Sequence, residues 1–286
     1  MEIKDYPADY ESIGFQATNI SRAIDLIKKM KQEKSTIFLS FTSNMVASGL
    51  RGIFKEMCKK KLVDVIITAG GSIDHDLIKT YVPYQLGDFS MDDAELHRKE
   101  INRIGNILVP NKCYVELEKR MKPIFEHFHG KMVSPSELCE EIGKTLDETS
   151  FLYWAQKNKI PVFCPGITDS AIGLQTYFHK QKDKEFGIDV TKDMNKLAQI
   201  VLEADKTSGI ILGGGISKHH TIGVNILRGG LDYAVYVTTS SPWDGSLSGA
   251  RTNEAVSWGK ISETAKSVTV DCDATIALPL IMKKFI

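Results

Sequence analysis

Six times along this chain a short run of β-branched and apolar residues stops abruptly in small or polar ones. The runs are Thr36–Phe41 before Thr42-Ser43-Asn44, Val63–Ile67 before Thr68-Ala69-Gly70-Gly71, and Pro161–Cys164 before Pro165-Gly166-Ile167-Thr168-Asp169. They continue with Gly209–Leu212 before Gly213-Gly214-Gly215, Tyr233–Val237 before Thr238-Thr239-Ser240-Ser241, and Ser267–Val270 before Asp271-Cys272-Asp273. Helix-length segments lie mainly between them: Met45–Lys60, Ser170–Lys180, Thr191–Asp205, His220–Arg228 and Ala274–Lys284. The alternation predicts an α/β protein, with a doubly wound, mostly parallel, Rossmann-like sheet and helices on both faces. In that architecture ligands sit outside the carboxyl ends of the strands, so the tips are where chemistry is expected. An opening helix is expected with Asn19 as its cap and Ile20, Ala23, Ile24, Ile27 and Met30 on its buried stripe.

Two insertions interrupt the rhythm. Residues 80–110 are rich in turn residues, and Asn111 to about Asn158 reads as helical. No Gly/Ser-rich or Pro-rich linker separates halves of the chain, which predicts one domain over residues 1–286. The 36 Lys+Arg balance 36 Asp+Glu, so net charge offers no footprint for nucleic acid, and Lys59–Lys61 reads as a solvated helix end. No run approaches the length of a membrane span, and Met1 to Tyr10 lacks the basic and apolar pattern of a secretory leader, so a cytoplasmic protein with no membrane partner is expected. The five cysteines are odd in number and widely spaced, which predicts reduced packing residues. His127/His129 and His219/His220 lack carboxylate partners at metal-ligand spacing, so no metal site is expected.

Three segments invite a chemical reading. Gly213-Gly214-Gly215-Ile216-Ser217-Lys218-His219-His220 follows a strand and opens a helix, which suits either close approach to a phosphate or a tight structural turn. It is an incomplete dinucleotide fingerprint, because Lys218 stands where the third glycine would be. A histidine directly after such a tip suits a general base, and equally a helix-end position. Thr239 to Arg251 is a long polar loop after a strand, a common carrier of function. Behind it, Glu254-Ala255-Val256-Ser257-Trp258-Gly259-Lys260 places an indole two residues from a lysine. Desolvation of such an amine favours the neutral form that imine chemistry needs, with Glu254 left to hold a cationic substrate.

These stretches, with Asp76-Leu77-Ile78-Lys79, Ile101 to Pro110, Tyr153-Trp154-Ala155-Gln156-Lys157-Asn158 and Ile160 to Asp169, make the chain resemble deoxyhypusine synthase over nearly its whole length. The wording Ile216 to Thr221 and Asp244 to Ala250 is similar to the archaeal branch. The longer N-terminal arm of eukaryotic members is expected to be missing. The resemblance implies NAD-dependent transfer of the 4-aminobutyl group of spermidine to one lysine of the precursor of the hypusine-containing translation factor, through an enzyme-lysine imine.

Carried over by position, Lys260 is the imine-forming lysine and His219 the proton acceptor. Glu254, Trp258 and Tyr236 line the polyamine tunnel. The positions implied for NAD are Ser43, Asn44, Thr68, Ala69, Gly70, Asp169, Gly214, Gly215, Thr239, Asp244, Ser248 and Asp273. A homotetramer built as a dimer of dimers is implied as well. The chain departs from the eukaryotic pattern at Leu174 and Leu247, which replace two polyamine-gripping aspartates, and at Gly223, which replaces an asparagine. Ala47 replaces a serine of the cofactor patch, and the turn holding Asp74, a candidate for the cofactor ribose, is one residue longer. The altered amine grip keeps two alternatives open: a homospermidine synthase-like transfer to a free diamine, and a non-catalytic NAD-binding protein.

Overall fold

All six predicted runs are strands in a computed structural model of the protein, which describes residues 10–286. The reading of Met1 to Tyr10 as an acidic lead-in falls, Tyr10 apart, outside the described residues. In chain order the strands are β1 (Thr36–Phe41), β2 (Val65–Thr68), β3 (Gln85–Leu86), β4 (Ile101–Ile104), β5 (Ile107–Pro110), β6 (Met132–Val133), β7 (Val162–Phe163), β8 (Gly187–Ile188), β9 (Thr207–Leu212), β10 (Leu231–Thr238) and β11 (Ile261–Asp271). The fold is α/β with a mostly parallel main sheet. Contacts group the chain into two units, 1–42 with 60–67 and 194–286, and 43–59 with 68–193. Neither unit is a continuous stretch, so no linker composition marks the division.

In the first unit the sheet order is β11-β10-β9-β1-β2. The pairs β1/β9, β9/β10 and β10/β11 are all parallel. Both faces are covered, as the near-continuous burial of β1, β9 and β10 requires. Strand side chains alternate between faces. Ala234 and Tyr236 pack with Ile222 of the Gly215–Val224 helix and Ala255 of the Thr252–Ser257 helix. Tyr233, of the other parity, points its hydroxyl at Glu33, the residue ending the Gln16–Gln32 helix.

That opening helix buries the predicted stripe Ile20, Ala23, Ile24, Ile27 and Met30. Its start is earlier than expected: the cap position is Phe15, and Asn19 lies within the first turns, where its amide donates to Gln16. Gln16 to Asn19 carry no apolar period, so the pattern could not show those residues as helical.

The second unit begins with a broken helix. The predicted segment Met45–Lys60 is divided into Ser43–Met45, a wide turn at Val46–Leu50 with Gly49 at φ 119°, and Arg51–Lys59. A wide turn frees backbone carbonyls. Lys79 Nζ takes two of them, donating to Val46 O at 3.1 Å and Ala47 O at 2.9 Å. Burial, helped by the Arg51 charge, pushes the Lys79 amine down to about 8.

The Gly70–Tyr81 helix that carries Lys79 is unusually polar inside. The fully buried Asp76 accepts from Arg51 Nε at 2.6 Å, Ser150 Oγ at 2.6 Å and Leu152 N at 3.0 Å. Asp74 is pushed up to about 6 by burial, against donation from the Ile172 and Ala171 amides at 2.9 and 2.8 Å. Those two bonds engage both carboxylate oxygens at the start of the Ala171–Lys182 helix, whose cap residue is Ser170. The 80–110 insertion is a three-stranded antiparallel sheet, β3-β5-β4. The segment 111–158 holds three helices, as its pattern predicts, and between the first two the short strand β6, which the pattern does not show.

Glu33 generates a prediction for the first unit. It accepts from Lys206, from Tyr233 Oη at 2.6 Å and faces Lys29 at 3.4 Å. Lys206 and Tyr233 together hold its carboxyl down at about 2. A depressed folded pKa gives stability that is present above about 4.5 and lost as the pH falls towards 2. Glu33→Gln is therefore expected to lower the melting temperature at pH 7, with the gap from the parent closing as melts are repeated down to pH 2. A gap independent of pH would contradict this.

Candidate active site

Glycines shape the approach of the β9 and β10 tips, some by their backbone angle and some by lack of space. Gly213 and Gly215 have φ of 78° and 65°, and Gly215 opens the Gly215–Val224 helix. A Cβ on Gly214 would lie 2.2 Å from Ser248 Oγ, and one on Gly249 would lie 1.7 Å from the Ser241 carbonyl oxygen. The 239–251 loop is thus folded tightly onto the glycine tip. Ser248 Oγ accepts from Gly215 N at 3.2 Å, and Asp244 accepts from Ser246 N at 2.7 Å. Asp273, at the tip of β11, caps the Ala274–Met282 helix by accepting from Thr275 N at 2.7 Å.

Behind this loop lies a cavity of about 270 Å³. Tyr236 of β10 and Ile222 of the Gly215–Val224 helix line it, with Leu247 and Ala250 of the loop. Its polar groups are Lys218, His219, Arg251, Glu254 and Lys260. Lys260 Nζ stands 3.5 Å from His219 Nε2 and 5.2 Å from the Trp258 ring centroid. The two residues are far apart in sequence. They meet because the Gly215–Val224 helix brings His219 to the cavity mouth, while the Thr252–Ser257 helix ends in Trp258 and Gly259 and returns the chain at Lys260. Gly259 sits at φ 66°, a left-handed helix end that a glycine adopts without strain. The Lys260 backbone is fixed from both sides, its N–H donating to Ala255 O at 3.0 Å and its carbonyl accepting from Leu231 N at 3.1 Å.

Chemically, this is an amine beside an imidazole, with an acid in the same cavity. An imidazole nitrogen at hydrogen-bond range is placed to exchange a proton with the amine. Trp258 is 66% exposed, so in a single chain it covers one side of the amine and does not enclose it as the sequence suggested. Tyr236 is fully buried, and its hydroxyl has no hydrogen-bond partner among the described residues. Burial first, then the Glu254 charge, drives its pKa well above the usual tyrosine value. Of the departures from the eukaryotic pattern, Leu247 lines the cavity, while Gly223 lies on the adjoining helix and presents no side chain. Sequence reasoning missed Lys218 and Arg251 as cavity residues. A lysine is ordinarily solvated, so only the glycine-rich context hinted at the burial of Lys218.

The positions implied for the cofactor fall into two groups. Gly214, Gly215, Thr239, Asp244, Ser248 and Asp273 lie at the β9, β10 and β11 tips of the first unit. Ser43, Asn44, Thr68, Ala69, Gly70 and Asp169 belong to the second. There a Cβ on Gly70 would lie 2.5 Å from Ser170 Cβ, so the tip after β2 is packed against the loop that ends in Asp169 and Ser170. Leu174, also in the second unit, is exposed.

Fold and cavity define an α/β protein that sets a lysine amine beside a histidine in one cavity. The comparisons give the family: the deoxyhypusine synthase model matches residues 7–285, and the chain belongs to that family of aminobutyl transferases. A protein of Thermococcus onnurineus named "Probable deoxyhypusine synthase" is 46% identical, over 99% of this chain and 90% of its own length. One of Methanocaldococcus jannaschii with the same name is 45% identical, over 98% of this chain and 90% of its own. A crystal structure assigned to deoxyhypusine synthase in Entamoeba histolytica superposes with a TM-score of 0.68 at 26% identity, covering 99% of this chain and 92% of that one. The AgrE ternary complex with ornithine and NAD+ shares the fold alone, with a TM-score of 0.58 at 15% identity over 94% of this chain and 32% of that one.

The unpartnered Tyr236 hydroxyl generates a prediction. A buried polar group without a partner destabilises a fold by about 1–3 kcal/mol. Tyr236→Phe is therefore expected to leave the unfolding free energy of the free protein unchanged or to raise it by about 1 kcal/mol, read by urea titration. A clear loss of stability would mean that the hydroxyl has a partner.

Proposed function

We propose that the protein transfers the 4-aminobutyl group of spermidine to a lysine of the precursor of the hypusine-containing translation factor, with NAD as redox cofactor. The observation that carries this is the 3.5 Å approach of Lys260 Nζ to His219 Nε2 within one cavity that also holds Glu254. The glycine tip fits a dinucleotide. Gly215 begins a ten-residue helix, and the space where its Cβ would stand is open, so a phosphate can approach the first amides. In the first unit the residues that would hold NAD are Gly214, Gly215, Thr239, Asp244, Ser248 and Asp273; the second unit's candidates are its own set, Ser43, Asn44, Thr68, Ala69, Gly70 and Asp169. When bound, NAD supplies an acceptor for the hydride on the carbon beside the secondary amine, and a donor for returning it.

The protein's own groups carry the remaining steps. His219 takes the proton from the secondary amine as the substrate imine forms. Lys260, as the neutral amine, adds to that imine carbon, and 1,3-diaminopropane leaves with the proton its nitrogen requires, so that the butyl fragment remains as an imine on Lys260. The acceptor lysine then displaces Lys260 by the same exchange. Glu254 is the cavity carboxylate able to hold an ammonium group, and Tyr236 offers its hydroxyl from the floor. Trp258 covers the amine on one side. A cytoplasmic location and a dimer of dimers belong to the same proposal, and the unbroken match over 7–285 supports treating the chain as one functional domain. Among the described residues no helix is long and apolar enough to cross a membrane.

Leu247 in the cavity wall favours a second reading, transfer to a free diamine. Each aspartate-ammonium hydrogen bond lost with that acid is worth roughly 1.5–3 kcal/mol, so the amine grip differs from the eukaryotic one. Labelled spermidine supplied with the host translation factor in one reaction and with putrescine in another separates the two readings. Label in the protein supports the first, and labelled homospermidine supports the second. Lys260→Ala is expected to retain the melting temperature and NAD affinity while losing the borohydride-trapped enzyme adduct. Undiminished trapping in the variant would remove Lys260 from the mechanism. His219→Ala is expected to slow NADH formation from spermidine more than it weakens NAD binding.

A further inference from the structure

Lys218 has no part in the chemistry above, yet its side chain is among the largest that are fully buried, at 1% exposure. Its Nζ donates to the Ala250 carbonyl oxygen at 2.7 Å and lies 4.4 Å from the Tyr236 ring centroid. An ammonium is costly to bury. Accordingly burial pushes it down to about 8, with the Glu254 charge opposing and the Arg251 charge assisting. A methionine would fill the same volume without that cost, so the donor itself calls for an explanation.

The connectivity supplies one. Lys218 and His219 are consecutive on the Gly215–Val224 helix. Ala250 directly precedes Arg251, which caps the Thr252–Ser257 helix, and that helix leads through Trp258 and Gly259 to Lys260. The buried Lys218–Ala250 bond therefore joins the same two chain segments that His219 and Lys260 join at the cavity mouth. Ala250 is itself buried, and its N–H is already engaged with the Ser246 and Leu247 carbonyls. The start of the Thr252–Ser257 helix is thus pinned to the helix that bears His219, and the Lys260 N–H is bonded to Ala255 within that same helix.

We propose that Lys218 is a positioning residue whose hydrogen bond to the Ala250 carbonyl sets the approach of the Lys260 amine to the His219 imidazole. The inference rests on the roles proposed for Lys260 and His219. Small displacements of reacting groups cost large factors in rate, so loss of the clamp is felt at Lys260 even though the two lysines do not touch the same atom.

The test uses the full chain and a probe that needs neither NAD nor polyamine. A simple aliphatic aldehyde with cyanoborohydride alkylates lysines by reductive amination, and peptide mass mapping gives the rate at each one. In Lys218→Met, labelling of Lys260 is expected to fall about fivefold or more, while labelling of the exposed Lys60 stays at the parental rate. Lys218→Arg, which keeps the donor, is expected to restore Lys260 labelling to within about twofold of the parent. A folded Lys218→Met with parental labelling at Lys260 overturns the proposal, as does a folded Lys218→Arg that labels no faster than Lys218→Met. If Lys218→Met melts below the assay temperature, Lys218→Leu, which likewise has no donor, takes its place, with slow labelling expected and a parental rate overturning the proposal. A parent that forms no NADH from spermidine overturns the proposed reaction separately, because the aldehyde result does not depend on it.

Discussion

Parallel pairing is the constraint on which the chemistry of the first unit depends. Parallel strands deliver all their carboxyl ends to one edge, so the tips after β9, β10 and β11 collect there whatever their distance in sequence. The glycine tip, the 239–251 loop and the cap residue Asp273 are consequences of that delivery. The glycines then decide how closely the loop can approach, since neither Gly214 nor Gly249 has room for a methyl group. An antiparallel arrangement would send alternate tips to the opposite edge.

Much of this was legible in the sequence, for identifiable reasons. β1 has the bounds its apolar run predicts, and the stripe of the opening helix is buried as its spacing requires. Two strands extend beyond the apolar runs that mark them. β9 begins at Thr207 because Thr207 and Ser208 are buried polar residues, and β11 runs from Ile261 to Asp271 with many exposed positions, so composition alone gave no sign of either. The approach of Lys260 to His219 is a tertiary fact that no local pattern contains; local context points to Lys260 and to one of His219 and His220, and the family resemblance selects His219. Lys218 escaped because a lone lysine is normally solvated, and the hydrogen bond that buries it comes from a backbone carbonyl that carries no side-chain signature.

Charge in the cavity has an order of its own. Lys218, Arg251 and Lys260 contribute three basic groups to its lining, against one acid, Glu254. Burial lowers the Lys218 amine on the cavity floor, and the Glu254 charge pulls the other way. Leu247 on the same wall brings no charge, so Glu254 stands as the carboxylate of the cavity lining.

The discontinuous make-up of the two units has a consequence for biogenesis. The second unit has its whole chain available once Asp193 has emerged from the ribosome. The first cannot close its sheet until much later, because Thr36 pairs with Thr207 and β10 with β11. During synthesis the edge of β1 therefore waits, unpaired with β9, while the intervening chain is made. Exposed strand edges of this kind are where chains stick to one another, and pairing over such separations is slow. The order of translation thus leaves the β9-facing edge of β1 uncovered until Thr207–Leu212 has been made.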